Sequence, residues 1–130
     1  MMLYHSTRGL DGSRSFSEVL HSGLAEDGGL FVPESVPTLN RETIDEWKHY
    51  SYEELAVEII SLFSGDCFSR SELTEIVNQS YSGFQYEIKS PLTKLEENHF
   101  FLELFHGPTL AFKDFAMQVI AKMFARTLQK

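Results

Sequence analysis

The chain has 130 residues, 42% of them hydrophobic, and carries a formal charge of −8 with one cysteine. That length fits one ordinary domain, or a small domain joined to part of another, and the apolar fraction is too high for a disordered polymer. The acids are spread through the chain with no basic stripe, which excludes the usual footprint of a nucleic-acid binder, and a lone Cys67 excludes an internal disulfide.

The start, Met1-Met2-Leu3-Tyr4-His5, has no basic region followed by an apolar stretch, so no secretory leader is expected. No apolar run approaches the roughly 20 residues that a membrane helix needs. With the single cysteine, this points to a soluble cytoplasmic protein. A short strand is predicted over residues 3–7, followed by a loop through Gly9 and Gly12. Ser15 and Glu18 have capping-box spacing, so a short helix should run to about His21 and end at Gly23. Residues 24–40 show little period and read as an ordered loop or short strand carrying Leu30, Phe31 and Val32. Helical spacing returns over residues 43–50.

Two clearer helices follow. Ser51 and Glu54 form a second box, ahead of an apolar stripe of Tyr52, Leu55, Ala56, Ile59, Ile60 and Phe63 that Gly65 closes. Ser69 and Glu72 form a third, ahead of Leu73, Ile76, Val77 and Tyr81. Residues 1–85 therefore read as a small, mostly helical unit. Residues 92–95 and 100–105 read as strands joined by Glu96-Glu97-Asn98, the second apolar except for Glu103 and thus expected to be buried on both faces. Gly107 and Pro108 end it, and a last helix runs from Thr109 or Phe112 to about Leu128. Its polar residues Gln118, Lys122, Arg126 and Gln129 make one narrow stripe, so the helix should be buried on several sides. The strand and helix call for a larger sheet than these residues supply.

Lys113 sits where that helix begins. A helix start carries partial positive charge and favours acids, so Asp114 is the residue the rule expects and Lys113 needs a reason. A lysine that is neutral part of the time is a nucleophile toward aldehydes and a base toward carbon acids. The helix end contributes only about 0.3–1 kcal/mol, against about 1.36 kcal/mol for each pKa unit, so desolvation or covalent bonding would have to supply the rest. A lysine that simply reaches solvent is the plainer alternative. A phosphate-binding loop is excluded. Aligned on Lys113, its required glycine is Phe112 and its hydroxyl residue is Asp114, which would block and repel phosphate.

The segment Leu104-Phe105-His106-Gly107-Pro108-Thr109-Leu110-Ala111-Phe112-Lys113-Asp114 resembles the pyridoxal-phosphate lysine segment of the threonine synthase family. Tyr4-His5-Ser6-Thr7-Arg8-Gly9 and the stretch Gly23-Leu24-Ala25-Glu26-Asp27-Gly28-Gly29-Leu30-Phe31-Val32-Pro33-Glu34 agree with it in order and spacing. The resemblance covers essentially the whole chain, but only the opening part of such an enzyme. It implies an α/β fold of the tryptophan-synthase-β type: a mostly helical domain over 1–85, then the start of the cofactor-binding α/β domain over 86–130, here truncated. It implies Lys113 as the residue that both holds pyridoxal 5'-phosphate and moves protons, in the conversion of O-phospho-L-homoserine and water to L-threonine and phosphate. The cofactor's phosphate loop and the partner of its ring nitrogen have no equivalent in residues 114–130, so the chain alone is expected to be inactive. Its apolar last helix is expected either to drive self-association or to leave the C-terminal end disordered.

Other constellations point less far. The five histidines, His5, His21, His49, His99 and His106, show no metal-ligand spacing, and no metal site is expected. Asp11, Asp27 and Asp45 read as turn or cap residues. Arg8 is a candidate anion contact only through the resemblance, His106 is either structural or substrate-facing, and Thr109 is a candidate cap for the last helix. The rival to an enzyme fragment is a free-standing interaction or regulatory module, which would need a polar outer face on that helix.

Overall fold

The computed structural model of the protein describes residues 2–130. Strand β1 (Leu3–Ser6) lies at the centre of a three-stranded antiparallel sheet, between β2 (Arg14–Ser15) and β3 (Phe31–Pro33). His5 pairs with Val32 and Ser6 with Phe31, so the stretch with little sequence period is partly strand, aligned by its partner. Gly29 packs so closely on β1 that a Cβ there would stand 2.1 Å from Ser6 Oγ.

Helix α1 (Phe16–Ser22) begins at the predicted Ser15–Glu18 box and ends at Gly23, whose φ of 72° is easy for glycine. Helix α2 (Arg41–Trp47) starts two residues before the sequence reading, capped by Asn40. Helices α3 (Tyr52–Ser64) and α4 (Arg70–Tyr81) both carry their predicted capping boxes, with serine and glutamate satisfying each other's end of the first turn. The two pack together, and α5 (Asp114–Thr127) lies against α4 and α1. One core joins them: Val57 of α3, Leu73, Ile76, Val77 and Tyr81 of α4, Phe68 and Phe84 beside them, and Val119 and Met123 of α5. Tyr81 donates its hydroxyl hydrogen to the Phe115 carbonyl at 2.9 Å, tying the first turn of α5 to the end of α4.

Strands β4 (Leu92–Glu96) and β5 (His99–Leu102) form a separate antiparallel hairpin with an irregularity between Lys94 and Glu96. Here the sequence reading needs correcting. The second strand stops at Leu102 rather than residue 105, and both its faces are open: Phe100, Phe101 and Leu102 are 48%, 53% and 56% exposed. Among the described residues β5 pairs with β4 alone. Helix α5 departs from expectation in the same way. Its polar stripe, Gln118, Lys122 and Arg126, is half-buried, with Arg126 paired to Glu75 of α4. Met117, Ile120, Phe124 and Leu128 face outward instead. Mixed helices and small sheets thus make an α/β chain, with exposed Leu110 and Phe112 just before Lys113.

Candidate functional site

The site is built along the chain from β5 to α5. Beyond Leu102 the backbone leaves the hairpin, with the Glu103 N–H donating to the Pro91 carbonyl at 2.9 Å. The Glu103 carboxylate accepts from Thr93 Oγ at 2.6 Å and lies 2.6 Å from His106 Nε2. Those bonds, Thr93's first, hold its carboxyl below the ordinary range. His106 is buried, its carbonyl accepts from the Gln85 N–H, and Tyr86 meets its ring edge-on at 4.8 Å. The bonds to its ring and main chain are both internal.

The next turn is tighter. Gly107 passes directly beneath Asp114, and a Cβ on it would stand 2.5 Å from the Asp114 Cβ. Leu110 follows with a φ of 60°, a left-handed conformation costing a non-glycine residue about 1–2 kcal/mol. Such strain persists only where the surroundings over-determine it, and it clusters at functional sites. What over-determines it is Asp114. Asp114 is 3% exposed, and its carboxylate accepts from the Thr109 N–H and from the Thr109 hydroxyl, both at 2.9 Å, with Gln118 Nε2 at 3.5 Å. Burial pushes this carboxyl up, and the hydrogen bonds from Thr109 outweigh it and leave it below the ordinary range. Thr109 is therefore not the cap of α5, as the sequence had proposed: it is a donor to a residue inside the helix.

The cap position belongs to Lys113, which has helical dihedrals and makes no side-chain cap. Its side chain is exposed and borders an open cleft of about 600 Å³ lined chiefly by Tyr52, Leu102, Leu104, Phe112 and Met117, with Ser90 beside them. No carboxylate lines that cleft. Among the described residues its amine has neither a hydrogen bond nor an ion pair, whereas Lys89 is paired to Glu53, Lys48 to Asp45 and Lys130 to Glu72. A primary amine on a fixed turn, beside an aromatic and aliphatic wall, is suited to bonding an aldehyde with a flat ring.

The remaining candidates lie elsewhere in the fold. Arg8 donates from Nη1 to the Asp27 carbonyl at 2.9 Å. Asp27 itself accepts from Ser6 Oγ, Gly29 N and Leu10 N, the Ser6 bond foremost in lowering its pKa, so it is the turn residue expected. Asp11 and Asp45 are held in ion pairs with Arg14 and Lys48. Among the described residues no cluster of His, Cys, Asp or Glu is arranged to hold a metal, and no helix is long and apolar enough to cross a membrane. The sequence reading did not find the roles of Gly107 and Asp114. Asp114 was legible as an acid at a helix start, but its reach back to Thr109 was not.

The fold and this turn define an α/β chain that presents a lysine amine from the start of a helix to an apolar cleft. Residues 3–81 match the family model described as threonine synthase N terminus, and the chain belongs to that family. It is 41% identical to the threonine synthase of Pseudomonas aeruginosa over 99% of its own length and 28% of the relative's. It is 44% identical to that of Eremothecium gossypii over 98% of this chain and 26% of the relative. A PLP-bound threonine synthase from Brucella melitensis superimposes with a TM-score of 0.97 at 40% identity, over 99% of this chain and 28% of that one. The chain thus spans little more than a quarter of the length of these relatives.

Proposed function

We propose that this chain is the N-terminal part of a pyridoxal-phosphate-dependent threonine synthase, a lyase that releases phosphate from O-phospho-L-homoserine and adds water to give L-threonine. Lys113 is the catalytic and cofactor-bonding residue. The observation that carries the reading is its amine, unpaired and exposed on a turn fixed from within, beside an apolar cleft free of carboxylates. That setting fits pyridoxal phosphate, whose aldehyde an amine attacks and whose ring lies flat against apolar walls. When bound, the cofactor supplies an electron sink for a carbanion next to nitrogen. Lys113 would hold the cofactor through Nζ, and its amine, when not so engaged, would serve as the base that takes a proton from the substrate's α-carbon and returns it later. Tyr52, Leu104 and Phe112 supply the apolar lining of the cleft beside Lys113.

In this reading residues 1–85 form the family's N-terminal domain and residues 86–130 open the cofactor domain. The rest of the relatives' length supplies the phosphate cradle and the partner of the ring nitrogen, and covers β5 and α5. The protein is cytoplasmic, in keeping with its single cysteine, and the isolated chain is inactive and self-associates through α5.

Borohydride reduction of the full-length, cofactor-loaded enzyme followed by peptide mapping should find the label on the Lys113 peptide. A label on Lys94 or Lys122 refutes the assignment. The isolated chain, given excess cofactor, should release no phosphate from O-phospho-L-homoserine. Turnover abolished by Lys113→Ala would show that this chain needs no further residues.

A further inference from the structure

We propose that Asp114 is the positioning residue for Lys113, its carboxylate clamping the turn from Thr109 so that the lysine leaves the helix in one direction. The inference rests on the reading of Lys113 as the cofactor residue and adds the device that aims it.

The other four helices of this chain begin in the ordinary way. Ser15, Asn40, Ser51 and Ser69 each sit just before their helix and accept from a backbone N–H in its first turn. Helix α5 has given up that arrangement. Its cap position is occupied by Lys113, whose side chain makes no cap bond, and the acid stands one residue inside. Instead of turning forward to the helix, that carboxylate turns backward and takes both donors of Thr109 at 2.9 Å. It does so in a residue that is 3% exposed and without any lysine, arginine or histidine paired to it among the described residues. A buried carboxylate lacking a counter-charge is costly unless its lone pairs are filled. Here they are filled, but by the turn before the helix rather than by the helix's own first-turn N–H groups.

The geometric consequence falls on Lys113. The Asp114 bonds close a loop over residues 109–114 that contains the strained Leu110 and admits no Cβ at Gly107. On the other side, the Lys113 carbonyl accepts from Ala116 N at 3.1 Å and Met117 N at 2.8 Å. The Lys113 Cα is thus held from both directions, while its amine is held by nothing among the described residues. Only the side-chain torsions remain to be set, and a cofactor bonded to Nζ inherits its placement from the clamp.

The test uses the full-length enzyme carrying Asp114→Ala, Asp114→Asn or Gly107→Ala. The rate at which the cofactor-free enzyme captures pyridoxal phosphate covalently, kcat and KM for O-phospho-L-homoserine, and the thermal midpoint of the cofactor-free enzyme are measured together. A displacement of about 1 Å at a reacting group costs about 10²-fold. Asp114→Ala and Gly107→Ala should therefore slow capture and kcat by about that factor, with KM little changed. Asp114→Asn keeps an oxygen for the Thr109 N–H and an amide donor for its hydroxyl, and should recover most of the rate. Should Asp114→Ala fail to fold, Gly107→Ala and Asp114→Asn decide the matter, since one moves the carboxylate and the other retains its geometry. Wild-type capture rates in the folded disrupting variants, or an Asp114→Asn as slow as Asp114→Ala, overturn the clamp. A borohydride label found away from Lys113 in the wild-type enzyme overturns the underlying reading together with it; a label on Lys113 with indifferent variants overturns the clamp alone.

Discussion

Removing one hydroxyl, in Tyr81→Phe, should loosen the helix that carries Lys113 without dismantling the core. Tyr81 is 4% exposed, and its ring packs edge-on against Tyr52 at 4.9 Å and Phe84 at 5.2 Å. Phenylalanine keeps those contacts. What is lost is the 2.9 Å bond to the Phe115 carbonyl, in the first turn of α5. That carbonyl also serves the N–H four residues further on, as every carbonyl inside an α-helix does. No backbone carbonyl is therefore stranded, and the cost should be that of one ordinary hydrogen bond, about 1 kcal/mol. Tyr81→Ala also forfeits the ring and should cost about 3–5 kcal/mol. For a chain of this size, 1 kcal/mol corresponds to about 3–6 °C in the thermal midpoint. Calorimetry or urea denaturation of the three proteins gives the ladder, and hydrogen exchange at the amides of Met117 and Val119 should rise in Tyr81→Phe. An unchanged midpoint, or one as low as that of Tyr81→Ala, would refute the assignment of this bond as the link between α4 and the Lys113 helix.

Acid should unfold the helices from their N-termini. Glu18, Glu54 and Glu72 accept from their own cap serines, which holds each carboxyl below its ordinary value of 4.5. In the matching pH range the folded chain binds fewer protons than the unfolded one, so this stability is present at neutral pH and is lost as pH falls below about 4.5 through the depressed folded values. Helical circular dichroism that persists unchanged to about pH 2 would count against it. On α5, Ile120→Glu with Phe124→Glu places charge on a face where these residues are 44% and 37% exposed, beside Met117 at 56%. Sedimentation should show concentration-dependent association of the parent chain and its loss in the variant; a parent that stays monomeric at high concentration removes the premise.

What could be read along the chain was whatever depends on neighbours a few residues away. Ser15, Ser51 and Ser69 with their glutamates announce three helix starts, because a capping box is made within four residues, and all three boxes are present. Asn40, which caps α2 through the Thr43 N–H alone, lacks the returning glutamate and left that helix start two residues out. Lys113 was legible too, as a cation at the wrong end of a helix behind a Gly-Pro turn. The tertiary structure decided everything that depends on what lies opposite. An apolar run such as Phe100-Phe101-Leu102 has the composition for burial, yet burial needs a partner surface, and among the described residues β5 pairs with β4 alone and stays half exposed. The narrow polar stripe of α5 had two possible faces; with Val119 and Met123 seated in the core, Gln118, Lys122 and Arg126 come half-buried, Arg126 pairing with Glu75 of α4. Asp114 obeys the helix-dipole rule in type, but the rule says nothing of direction. Its turn back to Thr109 requires Gly107 to pass beneath it without a side chain, a contact that exists only once the chain has folded onto itself.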